Sequence, residues 1–243
     1  MQASACSFRV NDKQYRCPAR PLAAICLDGS SDEYLNAAML RGLVPNLERM
    51  CLDGVRAVAR AAMPTFTNVN NSSIVTGVPP SVHGICGNFF YDEAAGREVM
   101  MNSAAFLTAD TIFPAAQKAG RKVAVVTAKE KLRDIFAHKL IENGGIAFSS
   151  EKAAQAQKTT HGISEVEALV GSKTPQIYSG DASVYVLQSG VSLLKAGKAD
   201  FVYLSTTDFI QHAYAPGEEQ ALQFYAEVDR QMKFQKVLPR PLP

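Results

Sequence analysis

Three short apolar runs, separated by longer segments, limit the folds open to this chain more than any other feature. They cover residues 22–27, 123–127 and 201–205. Each run is apolar throughout rather than alternating, which is typical of a strand with helices covering both faces. Segments with helical spacing occupy residues 44–52, 111–119, 129–140, 182–196 and 218–232. The alternation predicts an α/β domain with a mainly parallel central sheet flanked by helices.

Length and composition favour one large domain. The chain has 243 residues, of which 47% are hydrophobic and 20% charged, enough to bury a sizeable core. We place this domain at residues 1–230, with a possible small cap excursion near 145–180, where residues 151–162 are rich in Ala, Gln, Lys and Thr. Residues 231–243 contain three prolines without apolar periodicity and are predicted to be an irregular tail.

Charge and cysteine usage exclude several classes of protein. A net charge of +2 is too small to favour binding to nucleic acid or to a membrane surface. No run approaches the length of a membrane span, and the polar start does not resemble a signal peptide, so we expect a cytoplasmic protein. The five cysteines are odd in number and form no CxxC pair, which predicts reduced, mostly structural thiols. They are Cys6, Cys17, Cys26, Cys51 and Cys86.

Ionisable residues follow each of the three predicted strands. Asp28 follows the first, Lys129 and Lys131 the second, and Asp208 the third. Functional groups in parallel sheets gather beyond the carboxyl ends of the strands, so these four side chains are candidates for one site. Lys129 and Lys131 could attract a carboxylated or dianionic substrate, or could simply solvate the start of a helix.

Two further patterns could carry chemistry, and each also has a purely structural interpretation. Asp28 before a glycine could bind a cation or form an ordinary turn. Asp208 and His212 are four residues apart, so on a helix they could bind one zinc ion together. They could equally form an Asp–His pair of the kind that is common on protein surfaces. The remaining histidines, at positions 83, 138 and 161, fit hydrogen-bonded structural roles.

The loop MPTFTNVNNSSIVTG is dense in hydroxyl and amide side chains. If a helix begins near Thr67, its free N–H groups and positive dipole end would favour an anion and a threonine nucleophile. The same residue types are also preferred as ordinary helix caps. The sequence alone leaves both interpretations open.

Taken in order, Asp28, PTFTNVNNSSIVTG, HGICGNFFYD and DFIQH resemble the signature of the alkaline phosphatase superfamily. The resemblance is to its nucleotide pyrophosphatase/phosphodiesterase and phosphonoacetate hydrolase branches, over about residues 22–230. It implies an alkaline-phosphatase-like fold in which Thr67 is the nucleophile and Asn88 helps to hold the transition-state oxygens. It also implies two Zn²⁺ ions, one bound by Asp28 and Thr67 and the other by Asp208 and His212.

The resemblance also implies a substrate. FTNVNN around Thr67 is closer to phosphonoacetate hydrolases than to phosphodiesterases, and Lys129 and Lys131 match the two lysines that contact the substrate carboxylate in those enzymes. The implied reaction is zinc-dependent hydrolysis of the C–P bond of phosphonoacetate, giving acetate and phosphate through a phosphothreonine intermediate. Two alternative functions stay open, a nucleotide phosphodiesterase and an inactive remnant. A homodimeric assembly also stays open.

The zinc ligands that the resemblance implies are not all present. Family members supply a further Asp-His pair and a final His, and no match to either follows Arg230. We therefore expect a fold that is incomplete at the C-terminus, an incomplete zinc site, and impaired activity in this polypeptide alone.

Overall fold

The structure is a computed structural model and describes residues 6–232. Its strands within this range are β1 (Ser7–Val10), β2 (Lys13–Arg16), β3 (Leu22–Cys26), β4 (Phe89–Asp92), β5 (Arg97–Met100), β6 (Val123–Thr127), β7 (Ile146–Ser149) and β8 (Phe201–Ser205). The central sheet has four parallel strands in the order β3, β8, β6, β7. The β1–β2 and β4–β5 pairs form two separate antiparallel hairpins.

Helices pack on both faces of this central sheet. They are α1 (Asp32–Leu40), α2 (Pro45–Asp53), α3 (Thr67–Thr76), α4 (Pro80–His83), α5 (Ile112–Lys118), α6 (Glu130–Phe136), α7 (Lys158–His161), α8 (Val166–Val170), α9 (Gly180–Lys195), α10 (Phe209–Ala213) and α11 (Glu219–Gln231). Alternate residues of the central strands point to opposite faces. In β8, Val202 and Leu204 join the core formed with α9 and α11, whereas Phe201 and Tyr203 join the core formed with α5 and α6. The sheet is therefore covered on both sides.

The predicted fold class is confirmed. The strands Val123–Thr127 and Phe201–Ser205 match their predicted ranges, and the first strand ends one residue early, at Cys26. The sequence analysis missed β7, whose four residues form one edge of the sheet. This strand lies inside the range 145–180 that was given to a cap excursion, and the same range contains the short helices α7 and α8.

One prediction about the cysteines is wrong, because Cys6 and Cys17 form a disulfide with a Cα–Cα distance of 5.2 Å. The β1–β2 hairpin explains the pairing. Its register places Ser7 opposite Arg16, so the next residues outward, Cys6 and Cys17, also face each other. The spacing of the two cysteines matches no motif, and only the hairpin register reveals their contact. Cys26, Cys51 and Cys86 are free thiols.

Two other expectations concern the ends and surface of the chain. Helix α11 extends to Gln231, so the predicted tail at 231–243 begins inside that helix, and residues 233–243 lie outside the described range. Within residues 6–232, no helix combines the length and the apolar character needed to cross a bilayer.

Candidate active site

Strand register brings three of the predicted residues to one edge of the sheet. Cys26 of β3 and Thr127 of β6 both pair with Ser205 of β8, so these three strands end level with one another. The chain continues from these ends to Asp28, Lys129 and Asp208. The predicted strand-end site is therefore supported by the observed topology.

Gly29 allows the loops that carry the two aspartates to approach closely. Its φ angle is +70°, a conformation that residues with a Cβ rarely adopt. A Cβ at this position would lie 3.0 Å from the Cβ of Asp208 and 3.1 Å from that of Gln211. Asp28 is fixed from the other side, because its backbone N–H donates to Thr206 Oγ1 at 3.0 Å.

Thr67 is the first residue of helix α3, as the nucleophile hypothesis requires. Its hydroxyl donates a hydrogen bond to Asp28 Oδ2 at 2.9 Å, and its side chain does not cap the helix. The hydroxyl therefore lies next to the free N–H groups of the first turn, where the helix dipole favours negative charge. The structural alternative of a simple N-cap is wrong, since Phe66 occupies the cap position.

Asp208, His212 and Lys129 form one cluster. Asp208 Oδ2 lies 3.0 Å from His212 Nε2, and Asp208 Oδ1 lies 3.4 Å from Lys129 Nζ. The short helix α10 brings His212 back over Asp208, because residues four apart share a helix face. The side chain of His212 is 78% exposed, so its imidazole is accessible to a ligand from solvent.

The two aspartates have opposite pKa shifts. Burial, together with the negative charge of Asp208, raises the pKa of Asp28 above its usual value. Burial also acts to raise the pKa of Asp208, but Lys129, a backbone hydrogen bond and His212 outweigh it and lower that pKa. Asp208 is thus held as a carboxylate, and Asp28 is the carboxylate that more readily accepts a proton.

Asn88 and Lys131 each form a hydrogen bond with the β4–β5 hairpin or its flanking residue. The backbone carbonyl of Asn88 accepts from Met101 N at 2.8 Å, and the Met101 carbonyl accepts from Asn68 Nδ2 at 3.1 Å. Asn68 directly follows Thr67, so the base of the hairpin is tied to the start of α3. At the end of the same hairpin, Met100 Sδ accepts from Lys131 Nζ at 3.3 Å.

The residues that could hold a metal form two pairs, Asp28 with Thr67 and Asp208 with His212. Their oxygen and nitrogen donors suit zinc chemically. Their number does not, since zinc takes at least three protein ligands, and residues 6–232 contain no cluster of three or more His, Cys, Asp or Glu side chains that could hold a metal ion. The described chain therefore fits zinc in donor type but not in donor count.

Sequence reasoning missed the residues that hold these side chains in place. Gln211 Nε2 donates to Tyr225 Oη at 2.8 Å, and that hydroxyl lies 2.6 Å from Ser30 Oγ, so α11 connects the loops after β3 and β8. Thr206 fixes the backbone of Asp28, and Asn71 lies beneath Thr67. These are common residue types without motif spacing, and only tertiary contact reveals their roles.

Comparisons with known proteins show the family and the fold of this chain. The family model for type I phosphodiesterase/nucleotide pyrophosphatase matches residues 22–233. Phosphonoacetate hydrolase from Sinorhizobium meliloti 1021, solved in complex with phosphonoformate, is 45% identical with a TM-score of 0.92, over 97% of this chain and 58% of that one. The same hydrolase was solved in complex with phosphonoacetate, with a TM-score of 0.92 and 44% identity over the same shares of the two chains.

More distant relatives share parts of the chain or the fold alone. Bovine ectonucleotide pyrophosphatase/phosphodiesterase family member 3 is 34% identical over 96 residues, which are 37% of this chain and 11% of that protein. Murine ectonucleotide pyrophosphatase/phosphodiesterase 5 shares the fold, with a TM-score of 0.56 at 15% identity over 88% of this chain and 51% of that one. This chain thus spans less than two thirds of each of these relatives. Since the family model covers most of the chain, the chain belongs to the type I phosphodiesterase/nucleotide pyrophosphatase family of the alkaline phosphatase superfamily.

Proposed function

We propose that this chain carries the nucleophile and the substrate-binding half of a phosphonoacetate hydrolase, which converts phosphonoacetate and water to acetate and phosphate. The observation that carries the proposal is the placement of Thr67 Oγ1 at the start of α3, 2.9 Å from Asp28 Oδ2. Support for the substrate comes from the 44% identity and 0.92 TM-score to the S. meliloti hydrolase solved with phosphonoacetate.

The first step is attack of Thr67 Oγ1 on phosphorus. Asp28 Oδ2 accepts the hydroxyl hydrogen bond, which places it to receive the proton as the new O–P bond forms. The first N–H groups of α3 lie beside the phosphoryl oxygens and stabilise their charge, with the Asn88 amide as a further donor. The product of this step is phosphothreonine.

The C–P bond breaks as the O–P bond forms, and its electron pair moves to carbon. The carboxylate next to that carbon delocalises the pair as an enediolate, and the proton taken from Thr67 then passes to the carbon to give acetate. Lys129, which contacts Asp208, and Lys131, two residues further along the chain, bind the carboxylate and its extra charge in this scheme. Water then attacks the phosphothreonine and releases phosphate, restoring the Thr67 hydroxyl.

We also propose Zn²⁺ as the cofactor, bound through Asp28 with Thr67 and through Asp208 with His212. When bound, zinc supplies Lewis-acid stabilisation of the phosphoryl oxygens. The pairs contribute two donors each, so the remaining ligands come from outside the described residues or from solvent.

A second candidate is a nucleotide phosphodiesterase, favoured by the family model and by the bovine relative. Lys129 and Lys131 distinguish the two candidates, because a phosphodiester has no carboxylate for them to bind. A preference for nucleotide esters over phosphonoacetate would select this second function.

The test is phosphate release from phosphonoacetate by the purified chain with added zinc. Because the described residues supply too few zinc donors, we expect slow release, which Thr67→Ala abolishes and Thr67→Ser retains in part, since serine keeps a hydroxyl at the same position. Release that survives in Thr67→Ala would reject the nucleophile. Zinc-supported hydrolysis of a nucleotide ester to a nucleoside monophosphate, with no phosphate released from phosphonoacetate, would reject phosphonoacetate as the substrate.

A further inference from the structure

Beneath the proposed nucleophile lies a buried amide that the reaction scheme does not use. Asn71 is one helical turn after Thr67 and is only 1% exposed. A buried side-chain amide is costly unless its polar atoms are paired, so its partners show what it holds together. Those partners are three residues that lie on two elements of the site, helix α3 and strand β8.

The Asn71 side chain links the start of α3 to the central sheet. Its Nδ2 donates to the Thr67 carbonyl at 3.0 Å. Its Oδ1 accepts from Tyr203 Oη at 2.7 Å and from Ser205 Oγ at 3.0 Å, two residues on the same face of β8. Strand β8 leads directly to Asp208, so the amide connects the backbone of the nucleophile to the strand that carries the second aspartate.

The sheet side of this connection is rigid. The Tyr203 ring packs between Phe113 and Phe136, with ring centroids 5.7 and 5.9 Å away, so its hydroxyl has a fixed direction. Tyr203 is 2% exposed and Ser205 is fully buried. The Cys26 thiol at the end of β3 lies next to Asn71 and Ser205. Burial raises the pKa of this thiol to about 11, and hydrogen bonds with Asn71 and Ser205 act in the opposite direction.

We propose that Asn71 is a positioning residue, which sets where Thr67 Oγ1 lies relative to Asp28 and Asp208 by anchoring the first turn of α3 to Tyr203 and Ser205. This inference rests on the proposed function for its catalytic meaning, although the anchoring itself can be measured without turnover. A helix start held only by its own backbone bonds would be free to shift, and small shifts of a nucleophile cost much of its rate.

The experiment uses the full chain with Thr67→Cys, and measures alkylation of that thiol by iodoacetamide with zinc chelated. Peptide mass spectrometry separates this thiol from Cys26, Cys51 and Cys86. Asn71→Leu keeps the branched shape and the number of heavy atoms of the side chain and removes the three hydrogen bonds to Thr67, Tyr203 and Ser205. We expect it to speed alkylation about fivefold, the equivalent of one net hydrogen bond.

Two further variants make the outcome decisive. The double variant Tyr203→Phe with Ser205→Ala removes the hydrogen bonds from β8 to Asn71 and leaves the bond from Asn71 to the Thr67 carbonyl. We expect it to speed alkylation as much as Asn71→Leu does. The double variant also provides the test if Asn71→Leu does not fold. Ser189→Ala removes a buried hydroxyl that bonds Tyr185 O at 2.7 Å in α9, and should leave the rate unchanged. An unchanged rate in the double variant would overturn the anchoring to β8.

Kinetics then connect the anchor to the reaction. In the parent chain with Thr67 present, Asn71→Leu should lower kcat about tenfold or more while KM stays within about twofold. A merely structural role would lower stability and leave both constants of the folded protein unchanged. Absence of hydrolysis in the parent would reject the proposed function for this polypeptide alone, whereas the alkylation result would still decide the role of Asn71.

Discussion

Thr67 donates a 2.9 Å hydrogen bond to Asp28, although 39 residues separate them in sequence. The contact depends on two independent placements, the start of helix α3 and the end of strand β3. Asp208 is brought to the same place from a third element, β8, and its charge helps raise the pKa of Asp28. The groups with the chemistry are therefore assembled by the sheet and not by any single motif.

Gly29→Ala should disturb this assembly more than a typical glycine substitution. The new Cβ would lie 3.0 Å from the Cβ of Asp208, and the φ angle of +70° is itself unfavourable for alanine. We expect a loss of about 2–4 kcal/mol in the free energy of unfolding, from backbone strain and overpacking together. Urea denaturation measures this loss, and phosphate release should fall in the folded variant.

Gly96→Ala is the matched control for Gly29. Its φ angle is +63°, but no atom lies within 4 Å of the added Cβ. We expect only the conformational cost, about 1 kcal/mol, with phosphate release unchanged. Equal effects of the two substitutions would show that crowding against Asp208 is unimportant.

Lys131→Gln should separate carboxylated from uncarboxylated substrates. Loss of a charge-assisted hydrogen bond should lower kcat/KM for phosphonoacetate about 10- to 100-fold. An aryl phosphodiester, which has no carboxylate, should be cleaved at an unchanged rate. Lys152→Gln replaces an exposed lysine beyond β7 and serves as the control. An equal loss on both substrates would assign Lys131 to general phosphate binding instead.

More of the fold than of the candidate site could be predicted from the sequence. Strands such as Val123–Thr127 are buried on both faces, so their apolar character marks them directly. The edge strand β7 has only four residues and follows two glycines, and a short run of this kind does not differ from a loop by pattern alone. Asp208 is a candidate because it follows a predicted strand, and the family signature assigns chemical roles to it and to Thr67. Asn71, Gln211 and Tyr225 act through partners distant in sequence, which no local pattern encodes.

Stability should fall on the acid side because His83 is buried. Its Nδ1 accepts from Ile85 N at 3.2 Å and its Nε2 lies 2.8 Å from Ser73 Oγ, so the ring is neutral in the fold. Burial lowers the pKa of His83 below its usual value of 6.5. The unfolded chain therefore binds more protons, and the stabilisation present above about pH 6.5 is lost as the pH falls below it.

His83→Leu tests this linkage. We expect lower stability at pH 8, from the lost hydrogen bonds, and a shallower decrease between about pH 7 and pH 5 in urea denaturation. Some of the decrease should remain, because burial and Arg133 also lower the pKa of His161. If the free energy of unfolding changed with pH equally in the variant and the parent, the pKa of His83 would be the same in the folded and unfolded chains.

Asp229 should be a main source of stability at the junction of α11 and α2. Only 2% exposed, it accepts from Leu47 N at 2.7 Å, Asn46 N at 3.2 Å and Asn46 Nδ2 at 2.8 Å. It thereby satisfies free N–H groups in the first turn of α2, where the helix dipole also favours its charge. Asp229→Ala leaves these donors unpaired, and we expect a loss of about 2–4 kcal/mol in the free energy of unfolding.

Asp53→Ala, which removes an exposed partner of Arg49, should cost less than about 0.5 kcal/mol. Similar losses in the two variants would mean that Asp229 contributes no more than a surface charge.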